Sequence, residues 1–232
     1  MMLTGRKKEI MELFETKERL GVQELARRFY VSDMTIRRDL AELEDEGYIT
    51  RYRGGAVYNG LQQNMPIRQR FFVDEEEKKS LARRAAAYLR SDISVFIDSS
   101  ATCAYILGHI KKHQNIKLFT NSVNTLRMAA RLKLPCALIG GEYDDSDMCL
   151  VGPMAEEFAE QINVDLAFFS SQGYMPQDGI ISDTDLRQTA VRKKILKNAD
   201  QSIFLFEKNR LGQKFLYTLC KVGEDMVVIV GV

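Results

Sequence analysis

Val31-Ser32-Asp33-Met34-Thr35-Ile36-Arg37-Arg38-Asp39-Leu40 is the stretch from which the reading of this chain starts. Ser32 is a good N-cap, and Ile36, Leu40 and Leu43 recur at i, i+4 and i+7, so the spacing predicts a helix from about 33 to 46, stopped by Gly47. If those three residues face a core, the step of about 100° per residue turns Met34, Arg38 and Ala41 directly outward, with Thr35 and Arg37 on the flanks. Upstream, Ile10, Leu13 and Phe14 form the stripe of a first helix, and Val22, Leu25, Ala26 and Phe29 that of a second. Downstream, Tyr48 to Arg53 and Ala56 to Tyr58 flank Gly54-Gly55, a two-residue turn of the kind that closes a β-hairpin. Helix, helix, turn, helix and hairpin make a winged helix-turn-helix over 1–58.

The exposed end of that third helix carries the chemistry of a DNA reader. A major groove admits one helix, in which Arg bonds guanine edges while Ser, Thr and backbone N–H groups hold phosphates. Ser32, Thr35, Arg37 and Arg38 stand at the right end. Arg51 and Arg53 alternate along the wing and should share a face, beside the Gly54-Gly55 turn. Acidic and basic residues balance over 1–58, but the acids segregate: Glu42, Glu44, Asp45 and Glu46 crowd the far end of the helix.

Composition bounds the rest. A chain of 232 residues that is 45% hydrophobic and 28% charged can bury a real core, which excludes disorder and collagen. Its 33 Lys+Arg against 32 Asp+Glu leave +1, so nucleic-acid binding must rest on a local patch. The 4 Cys show no Cys-x-x-Cys spacing and are too sparse for a secreted disulfide scaffold, which points to a reducing cytoplasm. No apolar run approaches membrane-spanning length and the N-terminus turns charged at once, so neither export nor a membrane is expected.

Residues 59–73, which include Asn59-Gly60-Leu61-Gln62-Gln63-Asn64-Met65-Pro66, have a linker's composition. Beyond them, 74–232 changes rhythm. Asp74 and Glu77 suggest a capping box on a helix whose apolar side is Leu81, Ala85, Tyr88 and Leu89. Apolar runs of strand length follow at 95–97, 116–119, 137–139, 166–169, 203–206 and 227–230, with helix-like segments near 101–112, 122–132, 153–162 and 184–198 between most of them. That alternation predicts an α/β domain with a mainly parallel sheet covered on both faces.

Ligands in such sheets bind where the carboxyl ends of strands meet helix N-termini. Asp98, Ser99, Ser100, Ala101 and Thr102 follow the first strand and Thr120, Asn121 and Ser122 the second, so two hydroxyl-rich loops should open at one edge, where N–H groups favour a phosphate. The same residue types are also ordinary helix caps. Gly140-Gly141 ends the third strand, where backbone approaches a ligand or a neighbouring loop. His109 and His113 stand at i, i+4, but no Cys or carboxylate completes a metal site, and no metal, cofactor or catalytic set is expected. Arg187, Arg192, Lys193, Lys194 and Lys197 read as the solvated face of one helix.

The 31–40 segment, then Leu43-Glu44-Asp45-Glu46-Gly47-Tyr48-Ile49, then Arg51-Tyr52-Arg53-Gly54-Gly55-Ala56, closely resembles the N-terminal signature of DeoR-type bacterial transcriptional regulators. The resemblance implies an N-terminal DNA-binding domain and a C-terminal domain, similar to the sugar-phosphate isomerases and ribose-5-phosphate isomerase in fold, that senses a phosphorylated sugar or related metabolite and oligomerises. Its recurrent elements stand in order here: Asp98 to Thr102, Thr120-Asn121-Ser122, Gly140-Gly141, Gly152, Asp165 through Phe168, Asp178-Gly179 and Glu207 to Gly212. Two depart from the family pattern. Ser100 and Ala101 replace a Gly and a hydroxyl residue in Asp-x-Gly-Ser/Thr-Thr, and Glu207-Lys208-Asn209-Arg210 stands where Asp-x-Ser-Lys is usual, with Arg210 keeping the cation. The expectation is a cytoplasmic repressor of carbohydrate genes that binds double-stranded operator DNA as a homo-oligomer. Two alternatives are an isomerase with a DNA-binding appendage, using Asp98 or Glu207 to move protons, and a DNA-binding protein that takes no ligand.

Overall fold

The computed structural model describes residues 5–14, 17, 19–45, 48–58 and 67–231. The chain divides into two compact units, Met1–Val73 and Asp74–Val232.

In the first unit, α1 (Arg6–Phe14), α2 (Val22–Phe29) and α3 (Asp33–Asp45) surround one core. Ile10, Phe14, Val22, Leu25, Ile36, Leu40 and Leu43 are all buried in it, so the stripes read from periodicity are the packed faces. The stop at Gly47 lies outside the described residues, but Tyr48 N–H returns to the Leu43 carbonyl at 2.8 Å, a bond that satisfies a carbonyl of the last helical turn. Strands β1 (Arg19–Gly21), β2 (Ile49–Tyr52) and β3 (Gly55–Tyr58) form an antiparallel sheet in the order β1-β3-β2. The hairpin turn falls one residue earlier than the sequence suggested: Tyr52 pairs with Gly55, so Arg53 and Gly54 make the turn. A Cβ on Gly55 would lie 2.4 Å from the Leu20 carbonyl oxygen, so this glycine lets β3 close against β1. Residues 59–66 of the expected linker lie outside the described residues. Its remainder holds one helical turn, α4 (Ile67–Arg70), with Ile67 buried, and Phe72 packs edge-on against Tyr48 at 5.9 Å.

In the second unit, α5 (Glu75–Ala85) leads into β4 (Ser94–Ile97), α6 (Ala101–Ala104), β5 (Lys117–Thr120), α7 (Val123–Arg131) and β6 (Cys136–Leu138). A short antiparallel pair follows, β7 (Glu142–Asp144) with β8 (Cys149–Val151), then α8 (Pro153–Glu160) and β9 (Val164–Phe169). The rest is β10 (Gly173–Met175), β11 (Ile180–Asp183), α9 (Leu186–Lys197), β12 (Ala199–Phe206), β13 (Tyr217–Lys221) and β14 (Met226–Val230). Six strands form one sheet, ordered β14-β12-β9-β4-β5-β6, and every pairing in it is parallel.

Both faces of that sheet are covered, which is why its strands read as unbroken apolar runs. Val95, Ile97, Leu166, Phe168, Ile203 and Leu205 pack under α5, α6 and α7. Their alternates Phe96, Ala167, Phe169, Phe204 and Phe206 pack under α8 and α9. Two expectations fail locally. Asp74 sits in the left-handed region at φ 50° and its side chain caps nothing, so no capping box forms. The helix expected over 101–112 breaks at Ile110 and Lys111, whose backbones are extended, so His109 and His113 do not share a helix face.

Candidate functional site

Two groups of residues, one in each unit, carry the chemistry, beginning with the tip of α3. Ser32 Oγ accepts the Thr35 N–H at 3.2 Å and lies 2.9 Å from Thr35 Oγ1, which fixes the first turn. With Ile36, Leu40 and Leu43 buried, the opposite face presents Met34, Arg37 and Arg38 to solvent. The Arg38 side chain is 75% exposed, with its Nε 3.8 Å from Glu42. Asp39, buried on the core side, accepts the Arg6 Nε–H at 2.5 Å and so fastens α3 to α1. Sequence reading assigned Asp39 no part.

The wing differs from expectation. Arg51 is held through Nε at 2.6 Å by Glu44, which also accepts the Arg51 backbone N–H at 2.7 Å. The Arg51 backbone N–H first, and its side chain second, hold the Glu44 carboxyl below its ordinary range, while the Arg51 side chain stays 43% exposed. Arg53 lies in the turn rather than on the strand, so the two arginines do not alternate along one face. Arg53 and Gly54 are exposed, whereas Gly55 is buried and serves packing rather than contact.

In the second unit the candidate residues gather at the carboxyl edge of the parallel sheet, as the connection of each strand requires. Asp98, after β4, is fully buried: Oδ1 accepts the Ser100 N–H at 2.9 Å and Oδ2 the Ser170 N–H at 3.0 Å. Ser99 donates to Gln188 Oε1 at 3.0 Å. Ser100 caps α6 by accepting the Cys103 N–H, and its φ of −71° is one any residue adopts, so a glycine is not required there. Ala101 is buried and offers no hydroxyl.

After β5, Thr120 Oγ1 donates to the Ile97 carbonyl at 2.6 Å and accepts the Ser122 N–H at 3.1 Å, while Ser122 caps α7. Asn121 is 2% exposed; its Nδ2 donates to the Leu150 carbonyl at 3.2 Å, but its Oδ1 has no hydrogen-bond partner. After β6, Gly140 faces open space. Gly141 has φ +151°, and a Cβ there would meet Val151 O at 2.7 Å and Ala155 Cβ at 2.8 Å, so it serves the packing of α8.

Glu207, after β12, accepts the Thr102 hydroxyl and lies 3.7 Å from Lys78 Nζ and 3.4 Å from Arg210 Nε. Burial alone would raise the Glu207 carboxyl, but Lys78 and Arg210 with the Thr102 hydroxyl bring it below its ordinary value. Arg210 also donates Nη1–H to Gln172, and thus joins the β12 end to the loop after β9.

Arg192 corrects the sequence reading most. It was placed on a solvated face but is buried in α9. Its Nη1–H donates to Asp183 at 2.7 Å, Nη2–H to Gln188 at 3.2 Å, and Nε lies 3.4 Å from Asp98. Burial opposes both charged forms here. Even so, the opposed charges raise the Arg192 guanidinium above, and hold the Asp183 carboxyl below, their ordinary values. Lys193 and Lys197 are exposed as expected, and Arg187 pairs with Asp144 at 2.5 Å. The signal was present: Gln188 and Arg192 fall on the same face as Val191 and Ile195, and a charged residue on an apolar stripe calls for a buried partner.

Comparison with known proteins agrees with this division. Residues 6–62 match the DeoR-like helix-turn-helix domain and residues 73–231 the DeoR C terminal sensor domain. The glycerol-3-phosphate regulon repressor of Escherichia coli (strain K12) is 26% identical over 224 residues, which is 96% of this chain and 88% of that protein. The lactose phosphotransferase system repressor of Staphylococcus epidermidis is 27% identical over 226 residues, 95% of this chain and 89% of that one. Among solved structures, ribose 5-phosphate isomerase A of Methanocaldococcus jannaschii superposes with a TM-score of 0.46 at 14% identity, over 61% of this chain and 56% of that one. No helix among the described residues is long and apolar enough to cross a membrane. With both of its units matched, one as a DNA-reading helix-turn-helix and the other as a sensor, the chain belongs to the DeoR family of transcriptional regulators.

Proposed function

We propose that this protein is a cytoplasmic repressor of carbohydrate genes that grips a repeated operator through Ser32, Thr35, Arg37, Arg38 and the Arg53-Gly54 turn. Arg51, oriented by Glu44 and 43% exposed, stands on the wing strand beside that turn. The observation that carries the DNA reading is the division of α3 into a buried Ile36-Leu40-Leu43 face and an outward face that leaves Arg38 75% exposed beside a fixed Ser32-Thr35 tip. Paired half-sites require paired readers, so the acting species is a homo-oligomer with two-fold symmetry.

The effector is a phosphorylated sugar or related metabolite at the carboxyl edge of the second unit. Its phosphate lies against the remaining N–H donors of Arg210 and the α6 and α7 N-termini, which carry Ser100 and Ser122. The unpartnered Asn121 Oδ1 supports the sugar half: a buried acceptor without a donor is matched by a ligand hydroxyl. A coupling of about 1–3 kcal/mol between the two sites would change operator affinity roughly 5–150-fold.

The isomerase alternative is disfavoured, because both Asp98 oxygens are engaged by backbone N–H groups and Glu207 is held between Lys78 and Arg210. The test is anisotropy on a labelled fragment of the protein's own promoter. Arg38→Ala should weaken binding by about 1–3 kcal/mol, roughly 5–150-fold, with the melting transition unchanged. Wild-type affinity in that variant would remove the outward face of α3 from the interface, and turnover of aldose phosphates by the pure protein would favour the enzyme.

A further inference from the structure

The first unit shows three large apolar side chains to solvent among the described residues: Tyr30, Met34 and Tyr52. Other large apolar side chains of α1, α2 and α3 lie in the core cluster or pack against it. The three exposed ones sit on the turn before α3, on the first turn of α3 and on the wing strand. Tyr52 lies across Gly55 of the paired strand and Tyr30 ends α2 as its left-handed C-cap, whereas Met34 stands outside the core cluster. Tyr30 is 95% exposed and stands in the left-handed region at φ 54°, where a non-glycine residue is strained. Met34 is 74% exposed on a face where a polar side chain would cost the helix nothing.

Met34 and Arg38 are four residues apart on α3, so their side chains lie one above the other on the outward face. Whatever Arg38 meets, Met34 meets its neighbour. In a major groove the apolar feature of a base edge is the thymine 5-methyl group. Four residues of helix advance about 6 Å and successive base pairs are about 3.4 Å apart, so the two side chains address positions about two base pairs apart.

We infer that Met34 determines operator specificity by packing its thioether chain on a thymine 5-methyl group, about two base pairs from the guanine that Arg38 contacts. This rests on the DNA-binding reading above and adds to it a named base feature. The methionine is long and unbranched and bends to follow the methyl, which suits a contact with no hydrogen-bond direction to satisfy.

The experiment removes that methyl from the DNA. A tight-binding duplex is selected from a random pool with the full-length wild-type protein, and each thymine is replaced in turn by deoxyuridine, which differs only by the 5-methyl. At one thymine per half-site the wild type should lose about fourfold in affinity, the value of one buried methyl group. Met34→Ala should bind the parent duplex about as weakly and show no further loss at that position, whereas Met34→Leu keeps the thymine preference. Because Met34 is exposed, the melting transition of both variants should match the wild type. A selected duplex that tolerates deoxyuridine everywhere, or a Met34→Ala protein that keeps the full penalty, overturns the assignment to Met34 and leaves DNA binding standing. If the wild type selects no duplex at all, the DNA-binding reading fails first.

Discussion

Arg192→Ala should destabilise the second unit by about 3–5 kcal/mol, the usual result of removing one partner from a buried ion pair. The substitution deletes the cation that faces Asp183 at 2.7 Å and Asp98 at 3.4 Å, with Gln188 also bonded to it. Asp98 keeps two backbone N–H bonds and Asp183 keeps the Ser171 hydroxyl and the Thr184 N–H, so neither carboxylate can turn to solvent. Two like charges then remain in a medium that screens them poorly. Chemical denaturation followed by a probe in the second unit measures the effect. A loss under 1 kcal/mol would mean that Arg192 is solvated after all. Should the variant fail to express, Arg192→Met combined with Asp183→Asn serves instead: removing one of the stranded charges should recover a substantial part of the loss.

The pH dependence has a definite sign. Asp183 and Glu207 are held below their ordinary values of 3.8 and 4.5 in the folded protein. A carboxylate depressed by folding contributes stability that is complete above its unfolded value and disappears as pH falls through its folded one. The wild-type melting temperature should therefore hold from neutrality down to about pH 5 and decline below it as these groups take up protons. Arg192→Ala behaves oppositely relative to the wild type. Without Arg192, burial raises the Asp183 carboxyl and it protonates more easily, so the difference between the two proteins should narrow on acidification.

Arg192 also shows why sequence reading stopped where it did. The stripe of α3 was legible because Ile36, Leu40 and Leu43 are separated by about one helical period and mostly by charged residues. The six parallel strands were legible because burial on both faces writes them as apolar runs. β1 has three residues, and it exists because Leu20 pairs with Ala56, far along the chain. The small sheet β10-β11-β13 joins Ile180–Asp183 to residues 217–221, again a non-local pairing with no local signature. Along α9, five Arg and Lys residues gave the helix the look of a solvated face, and that composition masked the period that puts Arg192 inward. The loop residues at the carboxyl edge were found as residue types. Their partners Lys78, Gln172 and Gln188 come from other elements, and only the fold brings them there.

Arg210→Ala should remove the metabolite response while leaving operator binding intact. In the folded protein Arg210 donates to Glu207 at 3.4 Å and to Gln172, contacts that orient the guanidinium and leave the rest of its fork unspent. A phosphate accepts two parallel bonds from such a fork, and a charge-assisted bond of this kind contributes about 1.5–3 kcal/mol, or roughly 10- to 150-fold in affinity. That is enough to cancel the whole expected coupling between effector and operator. Glu207 would keep Lys78 and the Thr102 hydroxyl, so the second unit should still fold, and its melting transition provides the control. The measurement is operator affinity by anisotropy across a panel of phosphosugars, with the same panel titrated into the free protein by calorimetry. Arg210→Lys separates charge from geometry: it should restore part of the affinity, because Lys supplies the cation without the paired donors. Full response in Arg210→Ala would move the phosphate away from the β12 end of the sheet. The N-termini of α6 and α7, capped by Ser100 and Ser122, would then be the remaining places to seek it.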